Sequence, residues 1–419
     1  MLEHHHPNAT QVTQEDPLRG WVVFWGMVSR QTKTGRLTAL RLGATLTWLM
    51  LGVTAWGQDV VQVSMFGHLE SVTESHPDSH PGHAHMGWES GFSIGEHDMF
   101  VTAKITERIS FLSETVVGPA SSHGHGAGGD GFMASIERAR VKFDYASQHS
   151  VIVGKMHTPV NYWNDTYHHG RLFFPTIDRP SSFGLAVPIH TLGVRLQGQN
   201  IGDINFGYDV VAGNGLSSSD SGDDDIQKSL TAAFHIKPMD DSRFGVSYYR
   251  DNLRGNRVGS HGGHSGGHWS QVLSDTVASN DSLYYRGDVL FQLASASFRI
   301  KKTNWETLVE LAMNQNTYED QALPETTNFF AFGYFGLIHN DETFYALYDY
   351  TFTAEDDRHY LPQQLTKLGL GWKHEFSPSI HVKSQMERYV SWRLDPATML
   401  RPEGDKWEFK VQLAYGFGG

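Results

Sequence analysis

The chain has 419 residues, a formal net charge of −13, 12% aromatic residues and no cysteine. The lack of cysteine excludes disulfide bonds and thiolate metal sites. A hydrophobic content of 39% is too low for several membrane helices, and the aromatic content is too high for a disordered chain.

Near the N-terminus, basic residues at 30–41 are followed by an apolar run at 42–55. This order predicts a secretory signal peptide cleaved near Gln58, and a single anchor helix is the alternative interpretation. We therefore assign residues 1–57 to an N-terminal extension and signal peptide, and residues 58–419 to the mature domain. No later run of 18 apolar residues predicts a membrane-spanning helix.

From residue 60 onwards the hydrophobic pattern has a period of two. In the segment KWEFKVQLAYGF, every second residue from Trp407 to Phe417 is apolar, and the residues between them are polar or small. The same alternation occurs at 138–145, 204–210 and 367–373. Alternation of this kind predicts strands with one apolar and one polar face.

The connections between these strands alternate in length. Short turns are expected near residues 106–108, 146–150, 200–203, 238–241, 301–304, 339–342 and 377–379. Longer polar loops are expected near residues 73–86, 118–131, 157–188, 213–225, 252–282, 318–327, 354–363 and 393–405. Short turns that interleave with long loops predict about 16 strands, with the short turns at one end and the long loops at the other.

This layout predicts an all-β fold, an antiparallel transmembrane β-barrel with short periplasmic turns and long external loops. Closure of the barrel satisfies every backbone hydrogen bond, which the bilayer requires. A soluble β-sandwich or propeller is the alternative. The polar second face, the lack of a blade repeat and the tryptophans near strand ends argue against it.

The C-terminal strand resembles the assembly signal of bacterial outer-membrane porins, in which alternating apolar residues end in an aromatic. Here Gly418 and Gly419 follow that aromatic, Phe417. The segment GKMHTPVNYW at 154–163 weakly resembles part of the phosphate-selective porin O and P family. The resemblance implies a bacterial outer-membrane protein in contact with lipid, passive diffusion of small hydrophilic solutes or ions, and a homotrimer.

Catalysis and nucleic-acid binding are not expected. The chain has no G-x-S-x-G motif, and its histidine, aspartate and serine residues show no spacing that singles out a catalytic triad. We therefore expect a protein that is not an enzyme, requires no cofactor and has no nucleic-acid partner.

The strand phases also predict the lining of the channel. Acidic runs such as DSGDDD at 220–225 fall on loops, whereas the polar strand faces carry more basic than acidic residues. The predicted basic lining consists of Arg138, Arg140, Lys142, Arg195, Arg243, Arg286, Lys367 and Lys373, with Lys383, Lys406 and Lys410 on further polar faces. Two interpretations stay open: a mild preference for anions, or basic residues that simply pair with lumen acids.

The loop at 157–188 contains aromatic and apolar residues that an exposed loop would not need. By the strand count it is the third external loop, and in general porins that loop folds into the lumen as the constriction. The resemblance therefore implies a constriction that includes Asp165, His168, His169, Arg171, Asp178 and Arg179. A lid packed on the barrel rim is the alternative.

Three of the predicted external loops, the first, second and fifth, are rich in histidine. Imidazole suits Zn, Cu and Ni, but short His-x-His spacings in glycine-rich sequence fix no coordination geometry. We therefore expect weak and exchangeable metal binding, so that the alternative function is a channel or receptor that collects transition-metal ions. The candidate ligands are His76, His80, His83, His85, His123, His125, His261, His264 and His268.

Overall fold

Sixteen strands form a closed antiparallel barrel. The computed structural model describes residues 60–75, 88–119, 131–167, 170–216, 226–254, 285, 287–395 and 399–418. The strands are β1 (Val61–Ser75), β2 (Trp88–Lys104), β3 (Ile109–Pro119), β4 (Phe132–Ala146), β5 (His149–His157), β6 (His190–Ile201), β7 (Phe206–Gly213), β8 (Ser229–Ile236), β9 (Ser242–Leu253), β10 (Val289–Lys301), β11 (Trp305–Tyr318), β12 (Thr326–His339), β13 (Glu342–Thr353), β14 (Gln363–Ser377), β15 (Ile380–Arg393) and β16 (Glu403–Gly418). Within the described ranges, no helix has both the length and the apolar character needed to cross a bilayer.

The barrel closes through its first strand. β1 pairs with β2 on one side and with β16 on the other, and Leu69 lies opposite Leu413 in the second pairing. Every strand therefore has two neighbours, and no sheet edge is left to expose unpaired backbone groups. The predicted fold class, the strand number and the alternation of short turns with long loops are confirmed.

The outer face of the barrel is apolar and the inner face is polar. Leu370, at the middle of β14, is 68% exposed, and Phe344 on β13 is 56% exposed. In contrast, Asn314, Asn328 and Gln412 are fully buried on the strands. This arrangement is the reverse of a soluble protein, and it is the one that a lipid environment favours.

A β-bulge interrupts the alternation on β4. Glu114 of β3 lies opposite Arg138, but the next residue, Thr115, lies opposite Ile136, so Glu137 is the extra residue. Ile136 is 56% exposed, whereas Glu137 is 1% exposed and Arg138 bonds to Glu114. The bulge thus lets the adjacent side chains of Glu137 and Arg138 both point to the inner side of the wall, which strict alternation would not allow.

A glycine shapes the strand that leads into the longest described loop. Gly154 on β5 has a φ of 130°, and a Cβ there would lie 2.1 Å from the carbonyl oxygen of Ala139. Only glycine fits this conformation and this close approach of backbones. The position fixes how β5 ends before the chain leaves the barrel wall.

Residues 158–189, which we call L3, connect β5 to β6. L3 contains a π-helical turn (Trp163–Tyr167), a 3₁₀ turn (Arg171–Phe173) and a short helix α1 (Ser181–Leu185). Its apolar residues pack in two buried clusters with inward side chains of the strands. The first cluster includes Val160, Ala186, Val187, Phe291, Phe330 and Tyr360, and the second includes Trp163, Phe174, Phe183, Phe332 and Tyr345.

Candidate functional site

L3 leaves the barrel wall through a closed neck. The backbone N–H of Thr158 donates to the carbonyl of Ile189 at 3.0 Å, which joins the two ends of the loop. The side-chain amide of Asn164 donates to the carbonyls of Thr158 at 2.9 Å and Ile189 at 3.3 Å. The loop therefore starts and ends at one point of the wall and projects as a single hydrogen-bonded unit.

The first half of L3 reaches β11 and β12. The backbone N–H of Trp163 donates to Glu310 Oε1 of β11 at 2.6 Å. The fully buried indole of Trp163 packs edge-on against Phe332 of β12, with ring centroids 5.5 Å apart, and against Phe174 at 5.1 Å. Because β5 and β11 lie six strands apart around the barrel, L3 crosses the lumen rather than lying along its own strands.

The second half of L3 is held by β13 and β15. The backbone N–H and the hydroxyl of Ser181 donate to Asp349 Oδ2 at 2.8 and 2.7 Å. The backbone N–H of Ile177 donates to Gln385 Oε1 at 3.0 Å. The buried ammonium of Lys383 donates to the carbonyl of Arg171 at 2.5 Å. These bonds satisfy backbone groups that a buried loop would otherwise leave without partners.

A buried ion pair fixes L3 to β2. The guanidinium of Arg179 donates to both oxygens of Glu96, at 3.2 and 2.8 Å, and both side chains are less than 10% exposed. Burial by itself would lower the pKa of Arg179, but Glu96 outweighs burial and raises that pKa. Arg171 lies 3.9 Å from the same carboxylate. Burial and the nearby Arg179 lower the pKa of Arg171, although it stays charged as arginines do.

Asp165 pairs with two arginines of the wall. Arg243 of β9 donates to Asp165 Oδ2 at 2.7 Å, and Arg195 of β6 donates to Oδ1 at 3.3 Å and to Asp209 at 2.7 Å. Burial would raise the pKa of Asp165, but Arg243 and Arg195 outweigh it and lower that pKa to about 2. The carboxylate is therefore ionised at neutral pH, and it neutralises much of the positive charge of Arg195 and Arg243.

Asp178 belongs to a cluster of three carboxylates with Glu387 and Glu408. The ammonium of Lys410 lies 2.7 Å from Asp178, 3.5 Å from Glu387 and 2.8 Å from Glu408. Lys367 lies 3.3 Å from Glu387 and 3.9 Å from Asp178. Burial raises the pKa of Asp178, but Lys410 and Lys367 dominate and hold it well below its usual range. The cluster therefore neutralises lysines, and a metal ion there would have to displace an ammonium.

The predicted basic lining is largely paired with acids. Besides Arg195, Arg243 and Lys367, three more of these residues have a carboxylate partner. They are Arg138 with Glu114, Lys142 with Asp144 at 3.0 Å and Lys373 with Glu375 at 2.7 Å. Arg140 differs, because no carboxylate among the described residues lies within 4.0 Å of it. These pairs neutralise most of the predicted basic lining, and both interpretations stay open for the charge that Arg140 contributes.

Several predicted site residues lie outside the described ranges. They are Arg286 of the basic lining, His168 and His169 of L3, and the nine loop histidines at 76, 80, 83, 85, 123, 125, 261, 264 and 268. Of the six residues predicted for the constriction, the described ones are Asp165, Arg171, Asp178 and Arg179, and all four lie in L3 with charged partners on the strands.

No pattern in the sequence indicates which residues of the wall receive L3. Glu310, Lys383 and Lys410 follow from the strand phase as polar-face residues, but nothing in the sequence links them to positions 163, 171 or 178. Glu96 and Asp349 are separated from their loop partners by 83 and 168 residues. The alternating pattern identifies the strand face on which each of these residues lies. Only the three-dimensional structure shows which residue of L3 each of them contacts.

No protein-family model matches the chain, and no curated protein matches its sequence. Solved structures with the same architecture include OmpT, an outer membrane protein of Vibrio cholerae in its trimer form, with a TM-score of 0.55, 12% identity and coverage of 86% of this chain and 100% of that chain. The outer membrane channel DcaP of Acinetobacter baumannii has a TM-score of 0.54 and 11% identity, over 86% of this chain and 99% of that chain. An anion-selective porin from Comamonas acidovorans has a TM-score of 0.55 and 9% identity, over 85% and 100% of the two chains.

At these identities the comparisons establish the fold. Together with the closed barrel and its apolar outer face, they locate the protein in the bacterial outer membrane, as a β-barrel of the architecture used by porins and channels.

Proposed function

We propose that the protein is a channel for the passive diffusion of small hydrophilic solutes, and that L3 forms its constriction. The observation that carries the proposal is the path of L3, which starts at β5 and bonds to Glu310 and Asp349 on the opposite side of the lumen. A barrel of sixteen strands is too wide for its wall side chains to fill, so it holds an aqueous channel that an inward loop narrows. Its role is transport rather than catalysis.

We propose further that the channel prefers anions mildly. The described acids of L3, Asp165 and Asp178, are neutralised by Arg243, Arg195, Lys410 and Lys367, so they do not present free negative charge to a solute. Arg140 supplies a positive charge with no carboxylate within 4.0 Å among the described residues. The structural likeness to a porin titled anion-selective is consistent with this preference.

Reconstitution in planar bilayers tests both statements. A salt gradient across the membrane gives a reversal potential whose sign reports the permeability ratio of anion to cation. We expect stepwise conductance increments of fixed size. We also expect a reversal potential whose sign indicates that anions permeate more readily than cations. A potential of the opposite sign would refute the anion preference, and the absence of conductance from folded protein would refute the channel.

A second candidate function rests on the histidine-rich sequences at 76–85, 123–125 and 261–268. We propose that they bind Zn, Cu or Ni weakly at the external mouth, because neutral imidazole is a good ligand for these ions. Equilibrium dialysis of the folded protein measures this binding before and after replacement of all nine histidines by serine. Equal metal content of the two proteins would exclude the role.

We also propose a homotrimer, as in the trimer form of the Vibrio cholerae protein. Chemical cross-linking in outer-membrane vesicles, followed by electrophoresis without heating, measures the assembly. A species of three chains is the expected product, and a single chain under the same conditions would contradict the proposal.

A further inference from the structure

A groove lies over β10 on the outer face of the barrel, where the wall meets lipid. It has a volume of about 470 Å³. The outward residue of β10 at this level is only an alanine, Ala296, which lies opposite Val246 of β9 and Leu311 of β11. The outward side chains that line the groove include Phe234, Phe244, Val246, Ala296, Phe298 and Leu311. Because these side chains are all apolar, the groove suits a hydrocarbon chain.

Towards the long-loop end, the outer face beside this groove changes from apolar to polar. At the next outward position of β10, Ala294 lies opposite Tyr248 of β9, and at the following one Gln292 lies opposite Arg250. Gln292 and Ala296 are four residues apart, which is about 13 Å along a strand. The polar level and the groove are therefore within reach of one lipid molecule, because the hydrocarbon part of one leaflet is about 15 Å thick.

Arg250 brings an uncompensated positive charge to this polar level. Its side chain is exposed, and it has no carboxylate partner among the described residues. The next residue, Asp251, is buried on the lumen side of the wall, where Tyr249 donates to it at 2.8 Å. The outward acid Glu325 accepts a hydrogen bond from Gln315 of β11 at 2.9 Å, two strands away from Arg250.

The neighbours of Arg250 add a polar donor on one side and an apolar residue on the other. The hydroxyl of Tyr248 donates to Gln292 Oε1 at 2.5 Å, and the amide nitrogen of Gln292 makes no hydrogen bond to a described residue. On the other side, Leu230 of β8 lies opposite Arg250 and is 52% exposed. A guanidinium next to a neutral amide donor suits the oxygens of a phosphate ester.

We propose that the groove and Arg250 together bind one lipid with a negatively charged, phosphorylated headgroup, in the leaflet on the long-loop side. One acyl chain lies over Ala294 and Ala296, and the headgroup accepts hydrogen bonds from Arg250 and Gln292. Charge complementarity selects this occupant, because any acyl chain fills the groove but only an anionic headgroup compensates Arg250. The site lies on the outer face and does not depend on the proposed channel function.

Native mass spectrometry of the folded protein in detergent tests the proposal. The protein is titrated with dioleoyl phosphatidylglycerol, and separately with dioleoyl phosphatidylcholine, which has the same chains and no net charge. We expect one molecule of phosphatidylglycerol to be retained at concentrations at which phosphatidylcholine is not. In Arg250→Gln, loss of a charged hydrogen-bond donor should raise the half-saturating concentration of phosphatidylglycerol about tenfold.

Arg388→Gln is the matched control for charge. Arg388 also lies on the outer face, in the half of β15 that leads to a long loop, and its side chain is 46% exposed. Its guanidinium already bonds to Asp405 at 3.0 and 2.7 Å. The variant should therefore retain phosphatidylglycerol as the unchanged protein does.

A second pair of variants tests the groove. Ala296→Leu places a larger side chain in the groove and should weaken the retention of phosphatidylglycerol several-fold. Ala346, an exposed alanine of β13, lies away from the groove, so Ala346→Leu should have no effect. Heat-modified mobility in electrophoresis shows whether each variant is folded.

Three outcomes would overturn the lipid site. The first is equal retention of the two lipids, or equal half-saturating concentrations of phosphatidylglycerol for Arg250→Gln and Arg388→Gln. The second is displacement of the lipid by inorganic phosphate, which would indicate a soluble anion as the occupant. The third is an Ala296→Leu variant that separates into single chains while its lipid retention stays unchanged, since a second copy of the chain would then be what covers the groove.

Discussion

Single residues of L3 are held by charges that lie far away in the sequence. Asp165 meets Arg243 across 78 positions, and Lys410 meets Asp178 across 232. Such pairs contribute stability only if both partners stay matched, because removal of one partner leaves the other charge buried without compensation. These individual ion pairs therefore decide whether L3 stays in place in the lumen.

Asp165→Asn should remove the ion pair of Arg243 with residue 165 and one of the two ion pairs of Arg195. We expect a stability loss of about 1–3 kcal/mol, because a charged hydrogen-bond partner is removed, and a reversal potential shifted further towards anions. Asp203→Asn, in the exposed turn between β6 and β7, is the matched control and should change neither quantity. An unchanged reversal potential in Asp165→Asn would show that this carboxylate does not influence permeating ions.

Asp165 also makes the stability of L3 depend on pH. The pKa of Asp165 in the folded protein is about 2, below its usual 3.8, so its ion pairs stabilise L3 at every pH above about 3.8. This stabilisation is lost as the pH falls through about 2. Single-channel conductance should therefore change more between pH 4 and pH 2 in the unchanged protein than in Asp165→Asn.

Arg179→Lys tests the geometry of a buried ion pair. Lysine keeps the charge but cannot donate to both oxygens of Glu96, so we expect a loss of about 2–4 kcal/mol and noisier single-channel currents from a looser L3. The control is Arg388→Lys, because Arg388 makes an equally bidentate pair with Asp405 while both side chains are about half exposed. There the expected loss is much smaller, because water screens an exposed ion pair. Equal losses in thermal unfolding would mean that burial is not the reason for the stability of the pair.

At the scale of elements, L3 behaves as one packed unit. Its neck is closed by Thr158, Asn164 and Ile189, and its two apolar clusters pack on strands that lie far from β5. The loop therefore needs the whole barrel around it, whereas the strands pair with one another without using it. Its removal should change the channel more than the fold.

Replacement of residues 161–186 by a short glycine–serine linker should leave a folded barrel with a wider lumen. We expect the single-channel conductance to rise several-fold and larger sugars to diffuse into liposomes that carry the variant. Deletion of residues 217–225, in the connection between β7 and β8, serves as a control for loop shortening. A conductance that stays the same after loss of L3 would show that the constriction lies elsewhere.

At the scale of the whole molecule, the outer face of the barrel wall is apolar and its inner face is polar. The lipid-facing side carries Leu370, Phe344 and Leu368, each more than half exposed, and the lumen side carries buried amides and ion pairs. In lipid the exposed side chains are covered by acyl chains, which is why the outer face needs no polar group at its middle. The barrel is therefore stable only in a membrane-like environment.

Leu370→Arg measures this dependence. Leu370 is the middle residue of β14, so the new charge would lie close to the centre of the bilayer and should cost about 2–4 kcal/mol. Equilibrium folding into liposomes gives the free-energy difference. Ser379→Arg, in the turn between β14 and β15, should cost almost nothing, and a similar cost for both variants would place Leu370 at the membrane surface.

Much of the barrel follows from local pattern. Alternation from Trp407 to Phe417 predicts β16 and its two faces, and the spacing of turns predicts the other strands and the end at which each loop emerges. The bulge at Glu137 was not predicted, because a single extra residue does not alter the composition of the strand. The polar-face position of Lys410 was predicted, but not its three carboxylate partners.

The sequence by itself determined the strands, their number, their apolar outer face and the identity of L3 as an unusual loop. The strands and their faces follow from the alternation of residues two positions apart, and the loops follow from the length and composition of single connections. Both kinds of information are local in the sequence. Only the tertiary structure decided which charges meet and where positive charge stays uncompensated. Arg140 and Arg195 look alike in the sequence, yet Arg195 meets Asp165 and Asp209 while Arg140 meets no carboxylate among the described residues. The physical reason is that the closure of the barrel and the path of L3 across it bring together side chains that no local pattern relates.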